Sequence, residues 1–156
     1  MRDQLWRRDQ AAYPIAKTLP VLFADIDAQR HVNNIAVARY VEESRMLFAM
    51  TARNQAEDAA NIPRARIGHV AIDYLGEIGY PADVVVATGI SAIGRTSYTL
   101  AAAVFVGEVC AATASSVLVC VDEHGPTPIA EVHKGYFSRF TVRLISPILG
   151  GLGEDG

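Results

Sequence analysis

Residues 23–45 read FADIDAQRHVNNIAVARYVEESR, and the period of the chain changes halfway along them. The first half, through Asn34, has no repeating apolar face, and its Asp25, Asp27, Asn33 and Asn34 are residue types that close turns and cap helices with their own side chains. From Ile35 onward, Ile35, Ala38, Val41 and Met46 recur at helical spacing while Arg39, Glu42, Glu43 and Arg45 fall mostly on the other side. Ala36, Val37, Tyr40, Leu47, Phe48 and Ala49 widen the apolar stripe beyond a coiled-coil seam, as a helix wrapped by a sheet requires, and Met46 and Met50 read as core fillers. The pattern predicts a helix of about four turns, capped by Asn33 or Asn34 and ending near Arg53.

Upstream, KTLPVLFAD (17–25) reads as the first strand, with Pro14 and Pro20 near its start. Residues 1–16 form a polar, Ala-rich extension whose Trp6 and Tyr13 are available to pack back on the domain. Downstream, the polar link 54–66, broken by Pro63, leads into four strand candidates: 67–75, 83–93, 95–107 and 108–122. The turns between them, at Gly79 with Pro81, at Gly94 and at Gly107 with Glu108, are short. They demand an antiparallel meander, because a parallel return needs about a dozen residues or more. The Ala-rich stretch 96–121 is assigned to strands because Val104, Phe105, Val106, Val117, Val119 and Val121 accompany its alanines. Those alanines fit either a close approach by another subunit or a low-volume core. HGPTP (124–128) is a turn, and residues 129–140 are a short helix or edge segment.

An early helix followed by a long antiparallel sheet is an α+β arrangement of layers. The expected domain covers residues 17–145, with a C-terminal tail at 146–156. One helix cannot cover both faces of such a sheet, so burial favours a homodimer. The composition agrees with a single folded unit: of 156 residues, 51% are hydrophobic and 20% charged, enough for a core and too apolar for a disordered chain.

Fourteen Lys and Arg against seventeen Asp and Glu leave a net charge of −3, which gives no basic surface for nucleic acid. Cys110 and Cys120 stand in an apolar stretch and read as core thiols, not as a disulfide scaffold. No apolar run approaches the roughly 20 residues of a membrane span, and the first 20 residues hold no continuous apolar run, so a cytoplasmic chain with no membrane partner is expected. His31, His69, His124 and His133 are dispersed, and no metal site is expected. Gly89-Ile-Ser-Ala-Ile93 begins like a nucleophile elbow but lacks its closing glycine, which leaves Ser91 as an ordinary strand or turn residue.

The dense polar stretch before the helix has its own chemical logic. First-turn amides lack intrahelical acceptors and the helix dipole is positive there, so that end can polarise a carbonyl, while a carboxylate from the same loop can attack it or activate water. On local sequence alone the same residues serve equally as turn formers and caps.

The run FADIDAQRHVNNIAVARYVEESR resembles the loop and helix of the acyl-CoA thioesterases related to 4-hydroxybenzoyl-CoA thioesterase, which have the hotdog fold. VAIDYLGEI (70–78), AIGRTSYTLAAAV (92–104) and SSVLVCVDEHGPTPIA (115–130) are similar to further segments of that family, so the likeness spans roughly residues 17–140. The resemblance implies a long central helix wrapped by a five- or six-stranded antiparallel sheet, in homodimers that can pair into a dimer of dimers. It implies hydrolysis of an acyl-CoA thioester to a carboxylic acid and free CoA, with no cofactor required because CoA is part of substrate and product.

Carried over residue by residue, the resemblance makes Asp27 the catalytic carboxylate and directs the backbone N–H of Asn34 at the thioester carbonyl. His31 would help shape the site and Asn33 would organise the loop. Tyr74 and the turn residues Arg95, Thr96 and Ser97 would border the CoA channel, with Arg95 toward phosphate. Tyr40 and Glu43 match the family's helix pattern, Glu43 as a support of the site or of the subunit contact. Two positions depart from the family: Arg30 stands where many relatives carry glycine and Val37 where many carry an aromatic, which implies a different acyl pocket and offers Arg30 as a further anion contact. The competing readings are a non-catalytic acyl-CoA-binding protein, a hotdog hydratase or dehydratase, and a purely structural homo-oligomer. Hydration chemistry would need an acid and base paired at the α and β carbons.

Overall fold

The computed structural model describes residues 4–56 and 62–144, and the expected tail at 146–156 lies outside them. The strands are β1 (Ile15–Pro20), β2 (Ala65–Tyr74), β3 (Asp83–Ile93), β4 (Ser97–Val106), β5 (Val109–Asp122) and the short β6 (Gly125–Pro126); the helices are α1 (Asn34–Gln55) and α2 (Glu131–Phe137). The sheet runs β1-β3-β4-β5-β2 with every neighbour antiparallel, and β6 pairs with the end of β5. The long helix lies across β3 and β4, which is the hotdog arrangement the resemblance implied.

Strand alternation builds two apolar layers. On the helix side, Val84 and Val86 of β3, Val104 of β4 and Ala112 of β5 pack with Val37 and Tyr40 of α1. Midway, Ala102 and Ala114 lie under Val41, where small side chains let the helix approach the sheet. On the opposite face, Ala87, Ala101, Ala103 and Phe105 are covered by Ala12 and Tyr13 from the N-terminal segment and by Val142. Arg7, buried in this cover, donates to the Ala114 carbonyl at 3.2 Å, and the Tyr13 hydroxyl donates to the Arg7 carbonyl at 2.7 Å. A Cβ at Gly89 would come within 2.6 Å of Pro14, so that glycine permits the segment to cross β3, and Ser91 beside it donates to the Thr99 carbonyl as a strand residue.

This cover changes the premise of the burial argument for a dimer: the outer face of β3 and β4 is covered over Ala87, Ala101, Ala103 and Phe105 by the chain's own segments. The Ala-rich strands accordingly serve two intramolecular contacts, one with α1 and one with the N-terminal segment.

Four sequence expectations shift. The meander holds for β3, β4 and β5 only: β2 does not pair with β3, which follows it in the chain, but lies at the far edge against β5, and β1 takes the place beside β3. The first strand begins at Ile15 and stops at Pro20, because Phe23–Asp25 turn into a 3-10 helix before Asp27. Helix α1 has 22 residues, about six turns, so it is longer than expected. Its buried stripe is Ala36, Val37, Tyr40, Val41, Ser44, Phe48 and Ala52, while Ile35, Met46 and Met50 are 83%, 55% and 59% exposed. Met46 and Met50 are therefore not core fillers. The helix carries apolar residues almost all round, so spacing alone left its phase ambiguous by one residue.

Candidate active site

Two short stalks hold the loop between β1 and α1. Asn33 is the N-cap: its Oδ1 accepts the Ala36 N–H at 2.8 Å, and its own N–H and Nδ2 both donate to the Asp25 carbonyl at 2.9 Å. Between the stalks, Ile26 and Val32 form an isolated bridge, Asp27 N–H donates to the His31 carbonyl at 3.1 Å and Arg30 N–H donates to the Asp27 carbonyl at 3.0 Å. The turn closes through Arg30 at φ 64, the one non-glycine residue with positive φ among the described residues. That is the position where glycine was expected from the family pattern, and a side chain there costs about 1–2 kcal/mol of backbone strain.

Asp27, His31, Asn34 and Tyr74 are brought together around a cavity of about 370 Å³, with Gln29, Val32, Val37 and residues 75–78 completing its wall. The Asp27 carboxylate is exposed and accepts the Gln29 N–H at 2.9 Å, which leaves lone pairs free to act. Asn34 is the first residue of α1, so its N–H has no intrahelical acceptor and stands at the positive end of the dipole. The Tyr74 hydroxyl lies 3.5 Å from the Asn34 carbonyl oxygen. His31 Nε2 is 3.2 Å from Glu77 Oε2, and Glu77 is a wall residue that no motif or spacing in the chain singled out.

Asp25 has a different place from Asp27. It is 3% exposed, and its carboxylate accepts Arg39 Nη2 at 2.8 Å on both oxygens, the Tyr40 hydroxyl at 3.1 Å and the Leu22 N–H at 3.1 Å. Burial pushes its pKa up, but the hydrogen bonds from Arg39, Leu22 and Tyr40 outweigh that and hold the carboxyl below the ordinary range. Burial and the neighbouring Asp25 charge push Tyr40 up to about 12, so it stays a donor. Sequence periodicity had put Arg39 on the solvent side of α1, and nothing in the spacing linked it to a carboxylate 14 positions earlier.

Arg95, Thr96 and Ser97 are not part of this cavity. They form the β3–β4 turn, where Gly94 N–H donates to the Ser97 carbonyl at 2.7 Å and Cys120 N–H to the Thr96 carbonyl at 2.8 Å. Along β4 this is more than roughly 20 Å from the strand end that faces Asn34. Glu43 does not line this cavity either: it borders a small depression with Lys17, Leu19, Met46 and Met50. A larger cavity of about 710 Å³ lies on the outer sheet face between Trp6, Arg7, Thr99 and Val142, and holds none of the expected site residues. Among the described residues, no cluster of three or more His, Cys, Asp and Glu is placed to hold a metal ion, and no helix is long and apolar enough to cross a membrane. Cys110 and Cys120 are free, and burial raises the pKa of both thiols.

Residues 21–137 match the Thioesterase-like superfamily, a span that includes the whole loop, α1 and the sheet from β2 to β6. The chain belongs to this superfamily. Among solved structures, a thioesterase superfamily protein from Jannaschia sp. CCS1 is 29% identical with a TM-score of 0.66, over 80% of this chain and 81% of that one. A thioesterase from Thermus thermophilus, described as complexed with coenzyme A and Zn, shares the fold at 23% identity and a TM-score of 0.68, over 80% and 98% of the two chains. A gentisyl-coenzyme A thioesterase shares it at 16% identity and a TM-score of 0.65, over 80% and 99%. No curated protein matches the chain.

Proposed function

We propose that this thioesterase-like protein hydrolyses an acyl-CoA thioester to a carboxylic acid and free CoA. The observation that carries the reading is the meeting of the exposed Asp27 carboxylate and the Asn34 end of α1 on one cavity. In this reading the thioester carbonyl oxygen accepts the Asn34 N–H, and the positive helix end stabilises the charge that develops on it. Asp27 then follows one of two routes. It attacks the carbonyl carbon and expels the CoA thiolate, leaving an anhydride that water cleaves, or it takes a proton from a water that attacks the same carbon. His31 and Tyr74 shape the rim and Asn33 holds the loop, while Arg30 contacts a phosphate.

The active unit in this reading is a homodimer. Strand β2 is a sheet edge with Ile67, Val70 and Tyr74 exposed, and Tyr74 at its end lines the site, so a second copy on that edge would close the cavity. Arg95, Thr96 and Ser97 would then serve CoA only across a subunit boundary, since within one chain they stand at the other end of the sheet.

Free-thiol release across a panel of acyl- and aryl-CoA esters tests the proposal. Asp27→Asn is expected to lower kcat by about 10²- to 10⁴-fold with KM little changed. Asn34→Ala is expected to be mild, because the backbone amide survives. Full turnover by Asp27→Asn overturns the assignment, and a dehydrated product without thiol release would move the protein to the hydratase class. Single turnover in ¹⁸O-labelled water separates the two routes, since the anhydride path puts label into Asp27 itself when water attacks the enzyme carbonyl.

A further inference from the structure

The loop that carries Asp27 has both stalks tied to the helix through one buried residue. Asp25 binds the side of α1 with its carboxylate, through Arg39 and Tyr40, and binds the cap of α1 with its carbonyl, through both nitrogens of Asn33. Its third tie, to the Leu22 N–H, fixes the chain that arrives from β1. Everything between Asp25 and Asn33 is a seven-residue excursion whose internal bonds are local: Asp27 to His31, Arg30 to Asp27, and the Ile26–Val32 bridge. Val32 N–H, donating to the Ile78 carbonyl at 2.8 Å, ties the far side of the excursion to the β2–β3 link.

The His31–Glu77 contact adds a second tie on that side, and the ties at Asp25 are the ones that join both ends of the excursion to α1. We propose that Asp25 is a positioning residue for thioester hydrolysis, a buried carboxylate clamp that holds Asp27 and the Asn34 amide in reacting register. The inference rests on the proposed reaction at the same site and extends it to a residue that does not line the cavity. Hydrolysis needs the carbonyl oxygen at the amide and the carbonyl carbon at the carboxylate or its water at once, so an error of about 1 Å between them costs on the order of 10²-fold in rate. A carboxylate suits the task because it accepts from a guanidinium, a hydroxyl and a backbone amide together, which a neutral amide cannot do.

The test measures kcat, KM and Tm for Asp25→Asn and Tyr40→Phe beside the wild type, with Ile90→Val as a core variant far from the loop. The clamp predicts that Asp25→Asn lowers kcat by about 10- to 100-fold and Tyr40→Phe by several-fold, both with KM within about twofold. Ile90→Val, which trims a buried side chain, should lower Tm and leave kcat intact. Wild-type kcat in Asp25→Asn at a temperature where it is folded overturns the proposal. So does a kcat loss in Ile90→Val that matches its loss of Tm in the same ratio as the clamp variants, because the role is then merely structural. If Asp25→Asn does not fold, Tyr40→Phe decides: unchanged kcat overturns, and a loss at constant KM supports.

Amide exchange keeps the test separate from the reaction itself. Should the wild type release no thiol from any ester, the proposed function fails on its own terms, and exchange in Asp25→Asn decides the clamp. Faster exchange confined to residues 26–34 supports it, and unchanged exchange there overturns it.

Discussion

Both ends of α1 pack on the sheet, but they differ in what is added to that packing. At its start, Asn33, Asp25, Arg39 and Tyr40 make directional bonds between 2.8 and 3.1 Å, and the neighbouring Asp27 and Asn34 line an open cavity. Toward its end, Phe48 sits fully buried with ring centroids 5.9 Å from Tyr98, 6.0 Å from Phe137 and 5.8 Å from Phe140, and the Tyr136 hydroxyl donates to the Ala52 carbonyl. Apolar packing is strong but indifferent to angle, while hydrogen bonds are weak but angular. Concentrating polar ties at the start and aromatic packing toward the end lets the helix be anchored without burying Asn34.

The largest test of this division is Phe48→Ala. Emptying the aromatic cluster should cost about 3–5 kcal/mol of stability, read as a lower midpoint in urea unfolding. Turnover per folded molecule should stay near wild type in a sample kept well below its Tm. If kcat falls as steeply as stability does, the two ends are not independent and the comparison breaks.

Next in size is the acid limb of stability, which belongs to the other end. Asp25 has its folded pKa below its unfolded value, so its contribution is fully present above the unfolded pKa of about 4 and is lost as pH falls from there through the lower folded value. Urea unfolding from pH 7 to pH 2 should show stability dropping in that window in the wild type and a shallower drop in Asp25→Asn, which has no carboxyl to protonate. An equal slope in both would mean that other carboxylates govern the acid limb.

The same contrast explains what the sequence disclosed. The meander of β3 to β5 was legible because alternation and short turns leave it as the one economical solution, whereas the crossing of β2 to β5 left no local signal; residue type and place gave Asn33 or Asn34 as the cap, and the structure selects Asn33. Asp27, His31 and Asn34 were singled out by family likeness alone, and the structure brings them to one cavity. Asp25 was not separable from Asp27: the two are the same residue type two positions apart, and only tertiary contacts make one a buried anchor and the other an exposed carboxylate. The outer cover by residues 5–13 was legible in part: Trp6 and Tyr13 marked the segment as able to pack back on the domain, but it shows no period from which its docking on Ala101 and Ala103 could be read.

Arg30 carries the smallest expected effect and the sharpest question about the polar end. Its φ of 64 strains an L side chain by about 1–2 kcal/mol, and glycine would relieve that while adding about 0.5–1 kcal/mol of unfolded-chain entropy to be lost on folding. Arg30→Gly should therefore leave Tm unchanged or slightly higher. The proposed phosphate contact gives a reason for an arginine to persist at this strained position, and it predicts a severalfold rise in KM for CoA esters at low salt that shrinks as salt screens the pair. A fall in Tm with KM unchanged would instead make the Arg30 side chain part of the loop's own support. The loop would then depend on its tip as well as on its base at Asp25.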